Sequence, residues 1–415
     1  MKQNQRTFLL GLLALFSVSL YTLSATTIPN RVRIKDAPAI DSKKEEHAAL
    51  DYLNRLRTGA GLIKFRSNRL LKNAAKNHAN YLTRNNTIGH FEEKSNTGFT
   101  GTYASDRILH AGYATPLVIE NVSSNNRNYK ESIDGLFSAI YHRMAFLDFQ
   151  GDEIGIGITQ NPNDKFKTSF VYNMSAKALA QLYKEKNATH PKSIHIPTKI
   201  LNKALTVHKN KNAKIVTYPF NHQHDVPPAF FDELPDPLPL YRVSGFPISI
   251  SFNQAHFKHV KLLKFELFNS DGGAINNTLI YDHQSDPHQR LNNFDYVLFP
   301  LKRLDWNTQY HVKFSAIVDN KKIEKKWSFQ TRNFTIPLHY VKENQETFTI
   351  KKNQSHIFYF PPQSKIDLLG DLTFPSNFDI DFIDKNTIKL TALQAINVPV
   401  TLNIGQHKLK LYIQP

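Results

Sequence analysis

The 415-residue sequence contains no cysteine. That absence excludes disulfide staples, thiol nucleophiles, thiolate metal sites and a lipid-modified cysteine anchor. Also missing are H-E-x-x-H, G-x-S-x-G, a P-loop and a G-x-G-x-x-G turn after a strand, so the common hydrolase and nucleotide-binding folds are not expected. The run "GIGI" after Glu153 reads as a strand, not a phosphate loop. Acidic residues are scarce: 35 Asp and Glu face 52 Lys and Arg, a formal net charge of +17. This balance favours an anionic neighbour, such as an envelope or host surface component. The basic residues are scattered and no recognised nucleic-acid module is present, so no nucleic-acid partner is expected. Long apolar runs are absent except at the N-terminus. There Lys2 and Arg6 precede "FLLGLLALFSVSLYTLS", and small residues follow at Ser24-Ala25. This is the pattern of a cleavable secretory signal over residues 1–25. At about 17 residues the run touches the lower limit of a spanning helix, so an uncleaved anchor is the competing reading. The bulk of the chain is expected outside the cytoplasm either way, secreted, periplasmic or on the cell surface, with no transmembrane segment after signal cleavage.

What is present divides by periodicity. Residues 26–44 are polar and proline-punctuated, a leader. Asp41 or Ser42 can cap a helix whose first turn holds Glu45 and Glu46, with Ala49, Leu50, Leu53 and Leu56 as its apolar stripe and "TGAGL" as its stop. A second helix, capped by Ser67 or Asn68, sets Leu71, Ala74, Ala75, His78 and Leu82 on one face. "ASDRILHAGY" reads as a short third helix and "YKESIDGLFSAIYHRMAFLDF" as a fourth. "DEIGIGITQ" and "KTSFVYNMSA" are strand candidates. Helices followed by a small sheet make residues 45–176 an α+β domain. Residues 177–214 begin with a helical piece, "ALAQLYKEK", and continue as a basic linker. From residue 215 the period becomes two, and short strands broken by Asn, Asp, Gly and Pro suggest an Ig-like or fibronectin-like β-sandwich over 215–333, with Tyr310 as a tyrosine-corner residue. The Pro-spaced "VPPAFFDELPDPLP" is expected to pack between domains. Residues 334–415 alternate cleanly and suit a small antiparallel β domain with one solvated face.

Several polar residues of the first domain draw attention. In "IGHFEEK", His90 and Glu92 stand two apart, a spacing that on extended chain points both side chains one way. "VIENV" embeds Glu120, beside Asn121, in an apolar run. "AIYHRM" places His142 and Arg143 on the fourth helix, where an uninterrupted helix aligns Asp134, Ser138 and His142. His78 reads as a core histidine on an apolar face. Arg143 can pair with Asp148 or Glu153, or reach an anionic ligand. His222, His224 and Asp225 have metal-like spacing, but in a loop.

The ordered series "YLNRLRTGAGL", "LLKNAAKNHANYL", "GHFEE", "DRILHAGY", "IENV", "YHR" and "DEIGIGI" resembles bacterial CAP domains, also called SCP domains. These are relatives of cysteine-rich secretory, antigen-5 and pathogenesis-related proteins. The resemblance implies an α-β-α sandwich with a cleft lined by two histidines and acidic residues. His90 matches the first histidine, Glu120 the acid of the Glu-Asn pair, and His142 the second histidine. The fourth member, an acid, has no clear match; Asp134, Glu131 and Glu92 are its candidates. The Trp and helix-breaking residues that bacterial members often carry before the second histidine are missing. Such a cleft can hold Zn²⁺ or another divalent cation through His90 and His142 with an open fourth position. It can instead polarise a water, with Glu120 fixing a tautomer, or only hydrogen-bond a ligand. Two functions follow as expectations: binding of a ligand or of an envelope or host partner, or hydrolysis of envelope peptide or glycan.

Overall fold

The computed structural model describes residues 38–186, 191–194, 196–370, 372–373 and 377–415. The expected signal segment, and the leader up to residue 37, lie outside the described residues.

The first unit is an α-β-α sandwich. Helix α1 (Ser42–Gly59) starts where the Asp41 carboxylate accepts from the Lys43 and Lys44 N–H groups, satisfying donors that have no intrahelical partner. It ends at Ala60, and Gly61 then takes φ +87°, the left-handed turn that glycine tolerates. Strand β1 (Arg66–Ser67) leads into α2 (Arg69–Asn85), capped by Asn68 through Leu70 and Leu71. Then come α3 (Ala104–His110), β2 (Ile119–Ser124), α4 (Tyr129–Ser138), α5 (Ile140–Phe146), β3 (Glu153–Gln160) and β4 (Thr168–Ser175). The four strands lie in the order β1-β3-β4-β2, so β2 is an edge. Helix α2 covers one face of β3 and β4, while α1, α4 and α5 lie on the other. The "GIGI" strand is glycine-bearing for a packing reason. A Cβ on Gly155 would come within 2.0 Å of the Leu71 backbone, and one on Gly157 within 2.3 Å of Ala75. These two positions let α2 settle directly on the sheet.

The fourth helix is not continuous, although its periodicity suggests one unbroken helix. It breaks at Ala139 (φ −76°, ψ 111°) into α4 and α5. The basic stretch after α6 (Lys177–Glu185) is likewise not all linker: α7 (Thr198–Lys209) forms there, and Leu201 and Leu205 pack on Ala176 and Leu179.

Two four-stranded sheets then form a sandwich. One runs Val260–Phe268, Gln309–Val318, Lys321–Thr331, Gln223–Val226; the other runs Thr278–Tyr281, Asp295–Pro300, Ile248–Phe252, Ile215–Tyr218. The Tyr310 hydroxyl accepts from the Asp305 N–H at 3.0 Å, the upstream backbone tie of a tyrosine corner. The sandwich is not a separate bead. Tyr218 and Phe246 share one hydrophobic cluster with Phe137 and Phe146 of the first unit, and the Tyr218 and Phe137 ring centroids lie 4.7 Å apart. Along the Pro-spaced entry, Phe230 and Leu238 pack with Ile140.

The C-terminal strands also pair into two sheets, not one antiparallel sheet with a solvated face. Leu338–Tyr340, Ser355–Tyr359, Thr387–Ala392 and Phe378–Asp384 form one; Gln345–Lys351, His407–Gln414, Ile396–Ile404 and Leu372–Thr373 form the other. Each contains one parallel pair. The alternation is real in both, because each sheet turns one face to a shared core that includes Ile350, Phe358, Leu390 and Leu411. Among the described residues no helix is long and apolar enough to cross a membrane.

Candidate functional site

Strand β2 organises the polar residues, because its neighbours in sequence face opposite ways. Opposite Glu120 on β4 stands Asn173, and opposite Asn121 stands Tyr172. Tyr172 is buried on the α4–α5 side, hydrogen-bonded to Ser132 and packed edge-on against Phe146. Asn173 looks toward α2, where with its amide turned to donate it reaches Glu120 Oε2 at 2.9 Å and accepts from the Ala75 N–H.

On the α2 side Glu120 anchors a buried charge network. Arg107, fully buried on α3, donates to Glu120 Oε1 at 2.7 Å and Oε2 at 2.9 Å. His90 donates through Nδ1 to Oε1 at 3.0 Å. His78, also fully buried, sets Nε2 4.0 Å from the same oxygen. Its Nδ1 lies 2.9 Å from Glu92 and its Nε2 3.0 Å from the Gly89 carbonyl. Glu92 is nearly inaccessible and accepts the Thr100 N–H at 2.7 Å. Burial pushes the Glu120 carboxyl upward, but the His90 hydrogen bond and the Arg107 and His78 charges outweigh it and hold it below the ordinary range. Glu92 is likewise held low against its burial by His78, Thr100 and Arg107. Both acids are therefore ionised at neutral pH.

His90 is the exposed member, its side chain 44% accessible. With Nδ1 fixed by Glu120, its Nε2 has no hydrogen bond to protein among the described residues. Next to it in sequence, Phe91 (63% exposed) meets Tyr103 (56%) edge-on at 5.6 Å, an aromatic pair standing in solvent.

His142 lies on the other side of β2. Its carbonyl accepts from Asn121 Nδ2 at 2.9 Å, which fixes α5 to the strand. Its Nδ1 meets Glu233, not Glu120, at 3.0 Å. Glu233 comes from the Pro-spaced entry to the sandwich, and its carboxylate also accepts the Ile140 N–H (2.7 Å) and the Tyr141 N–H (3.2 Å). This carboxylate caps α5 from 93 residues away, which is why the helix can break at Ala139 without a local capping residue. Burial raises the Glu233 carboxyl despite the His142 contact.

The remaining expected residues have structural partners. Asp134 does not align with His142, because the helix breaks between them. It bonds Tyr52, accepts from Lys130 Nζ at 2.6 Å and pairs with Arg332 of the sandwich at 2.7 Å. Glu131 pairs with Arg127. Arg143 reaches neither Asp148 nor Glu153. Fully buried between the units, it donates to the Phe137 carbonyl at 2.6 Å and the Pro247 carbonyl at 2.7 Å, its guanidinium near the Tyr218 and Phe246 rings. Asp225 pairs with Arg332 and Lys130, and His224 with Gln330.

The structure therefore brings His90, Glu120, Glu92 and His78 together and sets His142 apart with Glu233. Sequence reasoning placed His78 in the core without its charge partners, and it missed Arg107 and Glu233. The arginine was visible in "SDRILHAGY" three residues after a helix start, but Glu233 carried no local signal. Among the described residues no group of three or more His, Asp and Glu side chains is disposed to hold a metal ion, and the Nδ1 atoms of His90 and His142 meet different carboxylates.

Residues 50–174 match the family model of the cysteine-rich secretory protein family, CAP. Among solved structures, an outer surface protein from Borrelia burgdorferi is 21% identical, with a TM-score of 0.30, over 34% of this chain and 98% of that one. An extracellular SCP-domain protein from Bacillus anthracis is 18% identical, with a TM-score of 0.29, over 34% of this chain and 45% of that one. A cysteine-rich secretory protein from Staphylococcus aureus is 15% identical, with a TM-score of 0.26, over 33% and 40%. This chain thus spans less than half the length of the latter two. No curated protein matches it.

Proposed function

Residues 50–174 form a CAP domain, and from that premise we propose that this is an exported binding protein whose CAP unit recognises an envelope or host component at His90. One observation carries the reading. The imidazole is held at Nδ1 by an ionised, buried carboxylate that is itself locked by Arg107, so one oriented, half-exposed ring stands at the surface, followed in sequence by Phe91 of the exposed Phe91–Tyr103 pair. A fixed polar group next to exposed aromatic surface is the composition of a recognition site: the rings supply apolar area and the imidazole supplies direction. The β units support the CAP unit as packed partners and extend the molecule.

The hydrolytic reading, with His90 and His142 as base and acid, has less support. The two rings answer to different carboxylates, approached from opposite sides of β2. The test is retention of the purified chain on isolated peptidoglycan, on envelope fractions and on host-cell membranes. His90→Ala should weaken retention at least tenfold on the material bound, while His142→Ala leaves it unchanged. Equal retention by His90→Ala contradicts the proposal. Release of amines or reducing ends that His90→Ala abolishes would establish hydrolysis instead.

A further inference from the structure

We propose that the outer edge of β2 is a docking site for an extended peptide segment of a protein partner, which joins the CAP sheet as an added strand. Among the described residues β2 pairs only with β4. The Asn125 N–H donates to the Thr168 carbonyl at 2.9 Å, which sets the phase of this antiparallel ladder. Odd-numbered residues of β2 turn their backbone groups to β4, while Glu120, Val122 and Ser124 turn theirs outward. Among the described residues, the one bond to these outward groups comes from Asn126 Nδ2, 3.3 Å from the Ser124 carbonyl. Unpaired N–H and C=O groups at strand spacing are what strand addition consumes, and neither a sugar nor an acyl chain matches that alternation. The six residues give about 20 Å of edge. Proline, lysine and bulges, the common guards of an edge, are all absent from Ile119–Ser124.

The edge also has room beside it. Val122, Ser123 and Ser124 line a groove of about 920 Å³ that extends to the C-terminal sandwich. Ile383 and Asp384, on the far wall, belong to Phe378–Asp384, itself a sheet edge. Arg127 crosses between the two, donating to the Phe382 carbonyl at 2.8 Å. The basic side chains of the groove, from Arg127 to Lys389, are each tied to a carboxylate, so no excess charge selects a strongly ionic ligand. The matching occupant is an uncharged, β-prone stretch recognised through its backbone. The site is independent of the His90 reading, because its recognition groups are main-chain atoms.

The experiment uses the full-length chain to select binders from a displayed library of random ten-residue peptides, then tests the strongest as a synthetic peptide. Bound peptide should slow hydrogen exchange at the Val122 and Ser124 amides at least tenfold. Val122→Pro, which deletes one outward donor, should weaken binding at least tenfold, while Val122→Thr binds normally. Because Val122→Pro can also misfold, a second arm keeps the protein unchanged and N-methylates alternate amides of the peptide, in each of the two phases. One phase should lose binding and the other keep it. Recovery of no peptide, equal binding by both phases, or full protection of Val122 before peptide is added overturns the proposal.

Discussion

Replacing Glu120 with Gln keeps the shape of the side chain and removes its charge. In the native protein that carboxylate accepts from Arg107 at 2.7 and 2.9 Å and from His90 at 3.0 Å, with almost no solvent access. The substitution leaves the fully buried Arg107 with Glu92 at 3.8 Å as its nearest acid. Breaking a buried ion pair from one side costs about 3–5 kcal/mol, most of it the penalty of an uncompensated buried charge. Urea unfolding of the two proteins at pH 7 should show a loss of that size, with the slope m unchanged. The sign of the pH dependence follows from the depressed Glu120 carboxyl. A group held below its unfolded value stabilises fully above the unfolded range, near pH 4.3 for Glu, and that stabilisation is lost as pH falls through the folded value. The gap between wild type and Glu120→Gln should therefore be constant from pH 6 to 8 and close below about pH 4. A loss under about 1 kcal/mol, the range of exposed pairs, or a gap independent of pH, refutes the buried-network account.

Arg143→Ala should cost about 3–5 kcal/mol, since it strands the Phe137 and Pro247 carbonyls between the units and opens a cavity; thermal unfolding measures it. The same shared core predicts that deleting residues 215–415 exposes Phe137 and Phe146, so the truncated CAP unit should lose most amide-exchange protection in α4 and α5. Gly157→Ala should destabilise by about 1–3 kcal/mol, because α2 must lift from β3 to admit a Cβ that now lies 2.3 Å from Ala75; the denaturation midpoint reports it. In the C-terminal sandwich His339 Nε2 and His356 Nδ1 are 3.0 Å apart, and burial holds both rings below the ordinary imidazole value. Lowered folded values mean stability that is present above about pH 6.5 and lost as pH falls. Calorimetry should show the midpoint of this sandwich dropping between pH 7 and 5, and His356→Gln should flatten the drop.

Local chemistry made much of this legible. Asp41 and Asn68 announced their helices because a short polar side chain before an apolar stripe can satisfy free N–H groups. Tyr310 announced its corner through its spacing from the Trp-Asn turn. His90 and Glu120 were found by order along the chain, and they do meet. What stayed hidden depends on long-range partners. The break at Ala139 rests on a carboxylate 93 residues away, so no window around "FSAIYHR" contains its cause. His78 sat correctly in an apolar stripe, yet its role comes from Glu92 and Glu120, which the fold brings in from two other segments. The periodicity of 345–413 told which faces are buried but not what covers them.

The separation of the two imidazoles by β2 is open to direct measurement. Long-range proton–nitrogen spectra of the ring nitrogens of His90 and His142 can be compared in wild type, Glu120→Gln and Glu233→Gln. The His90 ring should respond to Glu120→Gln alone and the His142 ring to Glu233→Gln alone. A His142 response to Glu120→Gln as large as that of His90 would mean that both rings share one carboxylate and one cleft, and would contradict that separation.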